Sequence, residues 1–85
     1  MTYYTFTIYD VKAQHYHLPY NLKNEAIAIR QFGDMINDTE TTLNKHPEDY
    51  TLFKIGQWDD QNAQYKLEKT PKALGTGVEF KIDII

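Results

Sequence analysis

The stretch His46 to Asp60, HPEDYTLFKIGQWDD, restricts the possible folds of this chain more than any other. One turn signal, His46-Pro47-Glu48-Asp49, opens it; another, Asp59-Asp60-Gln61-Asn62, closes it. Between them Tyr50 to Trp58 has strand composition, and a strand sends alternate side chains to opposite faces. Phe53 and Ile55 then share one face with Thr51 and Gln57, while Tyr50, Leu52, Lys54, Gly56 and Trp58 share the other. A strand in a small sheet is normally apolar on one face and polar on the other. Here both faces are apolar or aromatic. If one packs on a helix, the other exposes Tyr50, Leu52 and Trp58 unless something covers it.

The flanking segments fill in the architecture. Residues 3–9, YYTFTIY, read as a strand, with Tyr4, Phe6 and Ile8 on one face and Tyr3, Thr5, Thr7 and Tyr9 on the other. Residues 10–23 show no clean period; Pro19 and Asn21 mark a loop crowded with His15, Tyr16, His17 and Tyr20. Residues 25–38 read as an amphipathic helix, capped by Asn24 or Asn21, with Ala28, Ile29, Phe32, Met35 and Ile36 as its core stripe. Gly33 within it costs about 1 kcal/mol relative to Ala, which implies close approach of a strand or a helix end. Residues 39–46 form a polar connection anchored by Leu43. Residues 63–69 read as a strand, Tyr65 and Leu67 inward, ended by Thr70-Pro71. After a Gly-bearing segment, 72–77, the end VEFKIDII alternates Val78, Phe80, Ile82 and Ile84 against Glu79, Lys81 and Asp83. That pattern predicts a terminal strand over Val78 to Ile85, in its own sheet or exchanged with a partner chain. The sum is β-α-β-β-β: an α+β single domain over residues 1–85, an antiparallel-rich sheet of three to four strands with one helix packed on one face.

Composition narrows the chemistry. The chain has no Cys, hence no thiolate or disulfide, and no Ser, which removes the commonest nucleophilic triads. It has no Gly-rich phosphate loop either, so a non-enzymatic protein without cofactor is expected. There is no apolar run of membrane-spanning length and no signal-peptide pattern, so the protein is expected to act where it is made, with no membrane partner. The net charge of -3 opposes a strong electrostatic footprint for nucleic acid. Residues 34–60 alone have a balance of -5, seven acids against Lys45 and Lys54, and the segments on either side are each +1.

Three constellations carry candidate chemistry. His15 and His17, two residues apart, could join His46 in a three-imidazole metal site; without a completing motif the ordinary reading is exposed loop imidazoles, and no metal is expected. Glu48, Asp49, Asp59 and Asp60 could pair for cation or acid–base work, but turn and cap chemistry explains acids there more simply. The rings Tyr3, Tyr9, Tyr50 and Trp58, with Lys12, Arg30, Lys54 and Lys66, could form a stacking platform for single-stranded nucleic acid. Each base–aromatic stack there is worth about 1–3 kcal/mol. The same face suits a homodimer, since Tyr and Trp are enriched at interfaces; Leu52, Trp58, Val78, Phe80, Ile82 and Ile84 would then be the oligomer interface. Composition alone favours the dimer.

Tyr9-Asp10 and Lys12-Ala13, Ala28-Ile29-Arg30 with Phe32, Asp34-Met35-Ile36-Asn37-Asp38, and above all His46-Pro47-Glu48-Asp49-Tyr50 leading to Leu52, Gly56 and Asp59-Asp60 form a recognisable set. On these residues the chain resembles, over roughly residues 3–60, the small non-structural protein of gokushovirus-type microviruses, tailless single-stranded-DNA phages. The resemblance implies a protein absent from the mature capsid, labelled DNA-binding, that works in genome replication or packaging in the cytoplasm of the bacterial host. The expected function is therefore single-stranded-DNA binding, with Tyr3, Tyr9 and Trp58 stacking on bases and Lys12, Arg30, Lys54 and Lys66 meeting phosphates. The alternative is a homodimeric interaction module whose acidic 34–60 region engages a viral or host replication protein, or a capsid-assembly protein, without contacting DNA.

Overall fold

The computed structural model describes residues 1–82. Strand β1 (Thr2–Asp10) turns back through β2 (His15–Tyr16) and β3 (Tyr20–Leu22), both antiparallel to it. Helix α1 (Glu25–Asn37) follows, then a short helix α2 (Thr42–Lys45) and a single 3-10 turn (Pro47–Asp49). Strand β4 (Tyr50–Asp59) and strand β5 (Gln64–Thr76) form a long hairpin, and a one-turn helix α3 (Gly77–Phe80) follows. The sheet order is β2-β1-β4-β5, with β3 also beside β1, and every pairing is antiparallel. This is the expected α+β class.

Helix α1 starts where the capping chemistry places it: the Asn24 side chain accepts from the Ile27 N–H at 2.9 Å. Its buried residues are Ala28, Phe32 and Ile36. They pack on Phe6 and Ile8 of β1 and on Tyr50 and Leu52 of β4, with Leu43 closing the cluster from α2. Fully burying one such side chain contributes about 1.5–3 kcal/mol.

The strand faces differ from simple alternation in β4. Directly opposed antiparallel residues share a face, and the register pairs Ile8 with Leu52 and Phe6 with Lys54, then skips Ile55 and pairs Thr5 with Gly56 and Tyr3 with Trp58. The extra residue is a β-bulge, and it reverses the alternation beyond it. Tyr50, Leu52 and Lys54 therefore face the helix and Phe53 faces away, the reverse of the expected split, while Trp58 faces away as expected. Leu52, expected at an exposed oligomer interface, is fully buried in the core. Gly56 fits the bulge because a Cβ there would lie 2.6 Å from the Lys66 carbonyl oxygen of β5.

The C-terminal third also departs from expectation. β5 runs through Pro71, because it pairs only with β4 and the register breaks between Gly56–Leu67 and Lys54–Lys72. An edge strand tolerates the missing donor at such an irregularity. Tyr65 and Leu67 are 52% and 67% exposed, not inward. Val78 and Phe80, expected on a terminal strand, lie on α3 instead. The Glu79 carboxylate accepts from the Thr76 N–H at 3.3 Å and from its hydroxyl at 3.2 Å, a T-x-x-E start that overrides the alternating pattern. The Asn37 side chain then holds the end of the turn, donating to the Phe80 carbonyl and accepting from the Ile82 N–H. The Phe80 ring meets Phe32 edge-on, 5.6 Å between centroids, so it is intramolecular packing and not an interface strand. Ile84 lies outside the described residues. Gly33 stays inside α1, and its near neighbour is the Phe80 ring at 3.8 Å, not a strand.

Candidate functional site

Opposite α1 the sheet carries its remaining rings in two groups. At one end the register aligns Tyr3, Trp58 and Tyr65 across β1, β4 and β5. The Trp58 and Tyr65 rings are 4.7 Å apart, and the Tyr65 hydroxyl accepts from the Asn21 side chain at 3.4 Å. At the other end Tyr9 packs on Tyr16 with centroids 4.6 Å apart, and Tyr16 meets Phe53 edge-on at 5.8 Å. Between the groups lies a concavity of about 320 Å³ lined by Thr7, Tyr16, His17, Pro19, Ile55 and Pro71. Thr5 and Thr7 are buried beneath this face, their hydroxyls donating to the Asn21 side chain and the His17 carbonyl.

Tyr3, Tyr9 and Trp58 thus share one face, as expected, although Trp58 reaches it only through the bulge and Tyr9 lies in the opposite ring group from the other two. Tyr50 does not; it is buried under the helix layer. The cations are distributed otherwise. Lys54 lies on the helix side, where its ammonium donates to Glu25 at 2.8 Å and sits 5.3 Å from the Tyr4 ring centroid. That hydrogen bond holds the Glu25 carboxyl below its ordinary range and the Lys54 ammonium above its own. Lys54 is therefore engaged and not available on the aromatic face. Lys66 pairs with Gln57, which pairs with Tyr4, so it too belongs to the helix side of the sheet. Arg30 is exposed on α1, in the other layer. Lys12 sits in the exposed turn after β1, beyond Tyr9.

Tyr16, Phe53, Ile55, Tyr65 and Pro71 belong to the site but were not legible as such. Tyr16 lies in a stretch without period, and the bulge and the β5 irregularity shift the faces of the others.

The imidazoles do not gather as three. His15 and His17 are neighbours, 5.9 Å between rings, whereas the ligand atoms of His46 converge with those of Glu48 and Asp49. Asp59 and Asp60 do turn chemistry: Asp59 accepts from the Gln61 N–H and the Asn62 side chain, which lower its pKa, and Asp60 pairs with the N-terminal ammonium at 2.7 Å. No helix among the described residues is long and apolar enough to cross a membrane.

The family model described as Phage ORF5 protein matches residues 3–80, from β1 through α3. The chain belongs to that family. The ORF5 match thus takes in both ring groups, the bulge and the α3 turn, and extends beyond the hairpin at residue 60. No curated protein and no solved structure matches the chain significantly.

Proposed function

We propose that this phage ORF5-family protein is a non-enzymatic accessory protein of a microvirus-type phage that binds single-stranded DNA, in genome replication or packaging, on the sheet face opposite α1. The observation that carries the reading is the alignment of Tyr3, Trp58 and Tyr65 across three strands, with a second ring group, Tyr9, Tyr16 and Phe53, on the same face. Bases stack on such rings without sequence preference. The placement of the cations refines the mechanism. Each phosphate neutralised on a single strand contributes about -0.7 to the slope of log affinity against log salt. Four cations would give a slope of about -2.8, whereas Lys12 as the nearby contact gives a slope nearer -0.7. Binding on this face draws on stacking more than on charge.

The test is fluorescence anisotropy with a labelled oligo-dT. Trp58→Ala and Tyr65→Ala should each weaken binding by about 5- to 150-fold, the equivalent of one lost stack. Lys54→Met and Arg30→Gln should leave it within about twofold, as exposed or engaged side chains off the site. Absence of binding at low salt, or equal affinity in the ring variants, would reject the assignment.

A homodimer through the same face is the second reading, favoured by Leu18, 89% exposed between the concavity residues His17 and Pro19, and by Leu67, 67% exposed opposite Gly56. In that reading the acidic 34–60 region engages a replication or capsid-assembly protein. Light scattering decides it: a monomer at micromolar concentration removes this version.

A further inference from the structure

The turn that opens β4 holds a side-chain cluster the aromatic face does not use. The ligand atoms of His46, Glu48 and Asp49 lie within 4.8 Å of one another. Acids in turns ordinarily accept backbone N–H groups, and three elsewhere in this chain do. Asp10 accepts from the N–H groups of Lys12 and Ala13, Asp38 from Glu40, and Asp59 from Gln61. The carboxylates of Glu48 and Asp49 accept none among the described residues, and the His46 side chain makes no cap bond to the turn it begins. The ion pairs of the described residues form elsewhere, on Glu25, Asp60 and Glu68. The turn hydrogen bonds that engage Asp10, Asp38 and Asp59 do not engage this pair. Two carboxylates at that spacing with no cation repel each other.

The backbone under them is fixed by other parts of the fold. His46 N–H donates to the Thr42 carbonyl at 3.1 Å, Asp49 N–H to the His46 carbonyl at 3.0 Å, and Val11 N–H to the Asp49 carbonyl at 2.9 Å. Gly77 lies so close to the Pro47 carbonyl that any Cβ would overlap it. The backbone that carries the three side chains is therefore already held in place.

We propose that His46, Glu48 and Asp49 form a binding site for a divalent transition cation, with Zn²⁺ as the best-fitting ion. One imidazole nitrogen and two carboxylate oxygens are three ligands of the types Zn²⁺ takes, and three protein ligands leave a position for water. The imidazole selects against Ca²⁺ and Mg²⁺, which take oxygen ligands. A cation here neutralises the acidic turn and pins α2, the β1–β2 turn and α3 around it.

The test is calorimetric titration of the untagged full chain with Zn²⁺ alone, beside thermal unfolding with and without the ion. One saturable site per chain and a raised Tm are expected. His46→Gln and Asp49→Asn should each weaken binding at least about tenfold, while a His15→Gln/His17→Gln variant should bind as before. Circular dichroism checks that each variant is folded. No saturable heat, or unchanged affinity in a folded His46→Gln/Glu48→Gln/Asp49→Asn variant, overturns the proposal. Equal binding of Mg²⁺ and Zn²⁺ that ignores His46→Gln overturns it as well, since that marks diffuse attraction to acidic charge.

Discussion

The two faces of this sheet are built from the same strands and share aromatic-rich composition, yet they end in different states. Under α1, Phe6, Ile8 and Leu52 lose all or nearly all contact with water. On the other face Tyr16 and Tyr65 remain half exposed, and Leu67 more so. A 13-residue helix supplies one apolar stripe and covers one face. The chain then spends further aromatic residues on the face that α1 does not cover, where the His17–Asn21 segment shields only Thr5 and Thr7. Rings outside the core that are aligned across strands are the basis of the proposed binding, and the contrast can be probed by substitution on each side.

The largest effect should come from the covered face. Phe32→Ala should cost about 3–5 kcal/mol, read from urea denaturation, because Phe32 meets both the sheet cluster and Phe80. Tyr65→Ala on the open face should cost less than about 1 kcal/mol, its ring pairing only partly buried. Comparable losses would erase the distinction between the faces.

Next comes the clamp behind the core. Gly77→Ala must displace both the Pro47 carbonyl and the Ile36 side chain, whose Cδ1 would lie 2.6 Å from the new Cβ. Overpacking of that kind costs about 1–3 kcal/mol. Gly33→Ala is the opposite case: its Cβ would make an ordinary 3.8 Å contact with Phe80. It should stabilise the protein by up to about 1 kcal/mol through helix propensity. A higher Tm for Gly77→Ala, or a lower one for Gly33→Ala, would show that α3 does not pack as described.

The smallest effect concerns the ion pair that keeps Lys54 off the aromatic face. Lys54→Met should change stability at neutral pH by no more than about 1 kcal/mol. Its pH signature is more telling. The depressed Glu25 pKa means that the pair stabilises the fold above the ordinary Glu value, near 4.3, and that this contribution is lost as pH falls through the lower folded value. The raised Lys54 pKa gives the mirror image, with stability lost only as pH climbs through the raised value. Between neutral pH and pH 3 the wild type should therefore lose more stability than Lys54→Met. Equal losses would mean that Lys54 is free.

The helix, β1 and the β4–β5 hairpin were legible because each rests on a local signal: the Asn24 cap with its apolar stripe, β-branched and aromatic runs, an acid-rich turn. Tyr3 and Tyr9 were placed correctly because β1 keeps its alternation from end to end. What could not be read was long-range. The bulge at Ile55 depends on how β4 meets β1 and β5, and one extra residue moved Leu52 into the core and brought Phe53 and Trp58 onto one face. The last stretch shows a conflict between two local patterns. Alternation over Val78 to Ile84 suggested a strand, but the Thr76–Glu79 start and the Phe80 contact with Phe32 decided for a helical turn. The cation half of the site was misread for a related reason, since the partner of Lys54, Glu25, is distant in sequence.

The central proposal is that the sheet face opposite α1 receives single-stranded DNA, and its sole tryptophan reports on it directly. Oligo-dT titrated into the protein at low salt should quench Trp58 fluorescence saturably, and the quenching should weaken only gently as salt rises. If Trp58 fluorescence is unchanged by oligo-dT at low salt, the face is not a DNA platform, and its rings serve a protein interface instead.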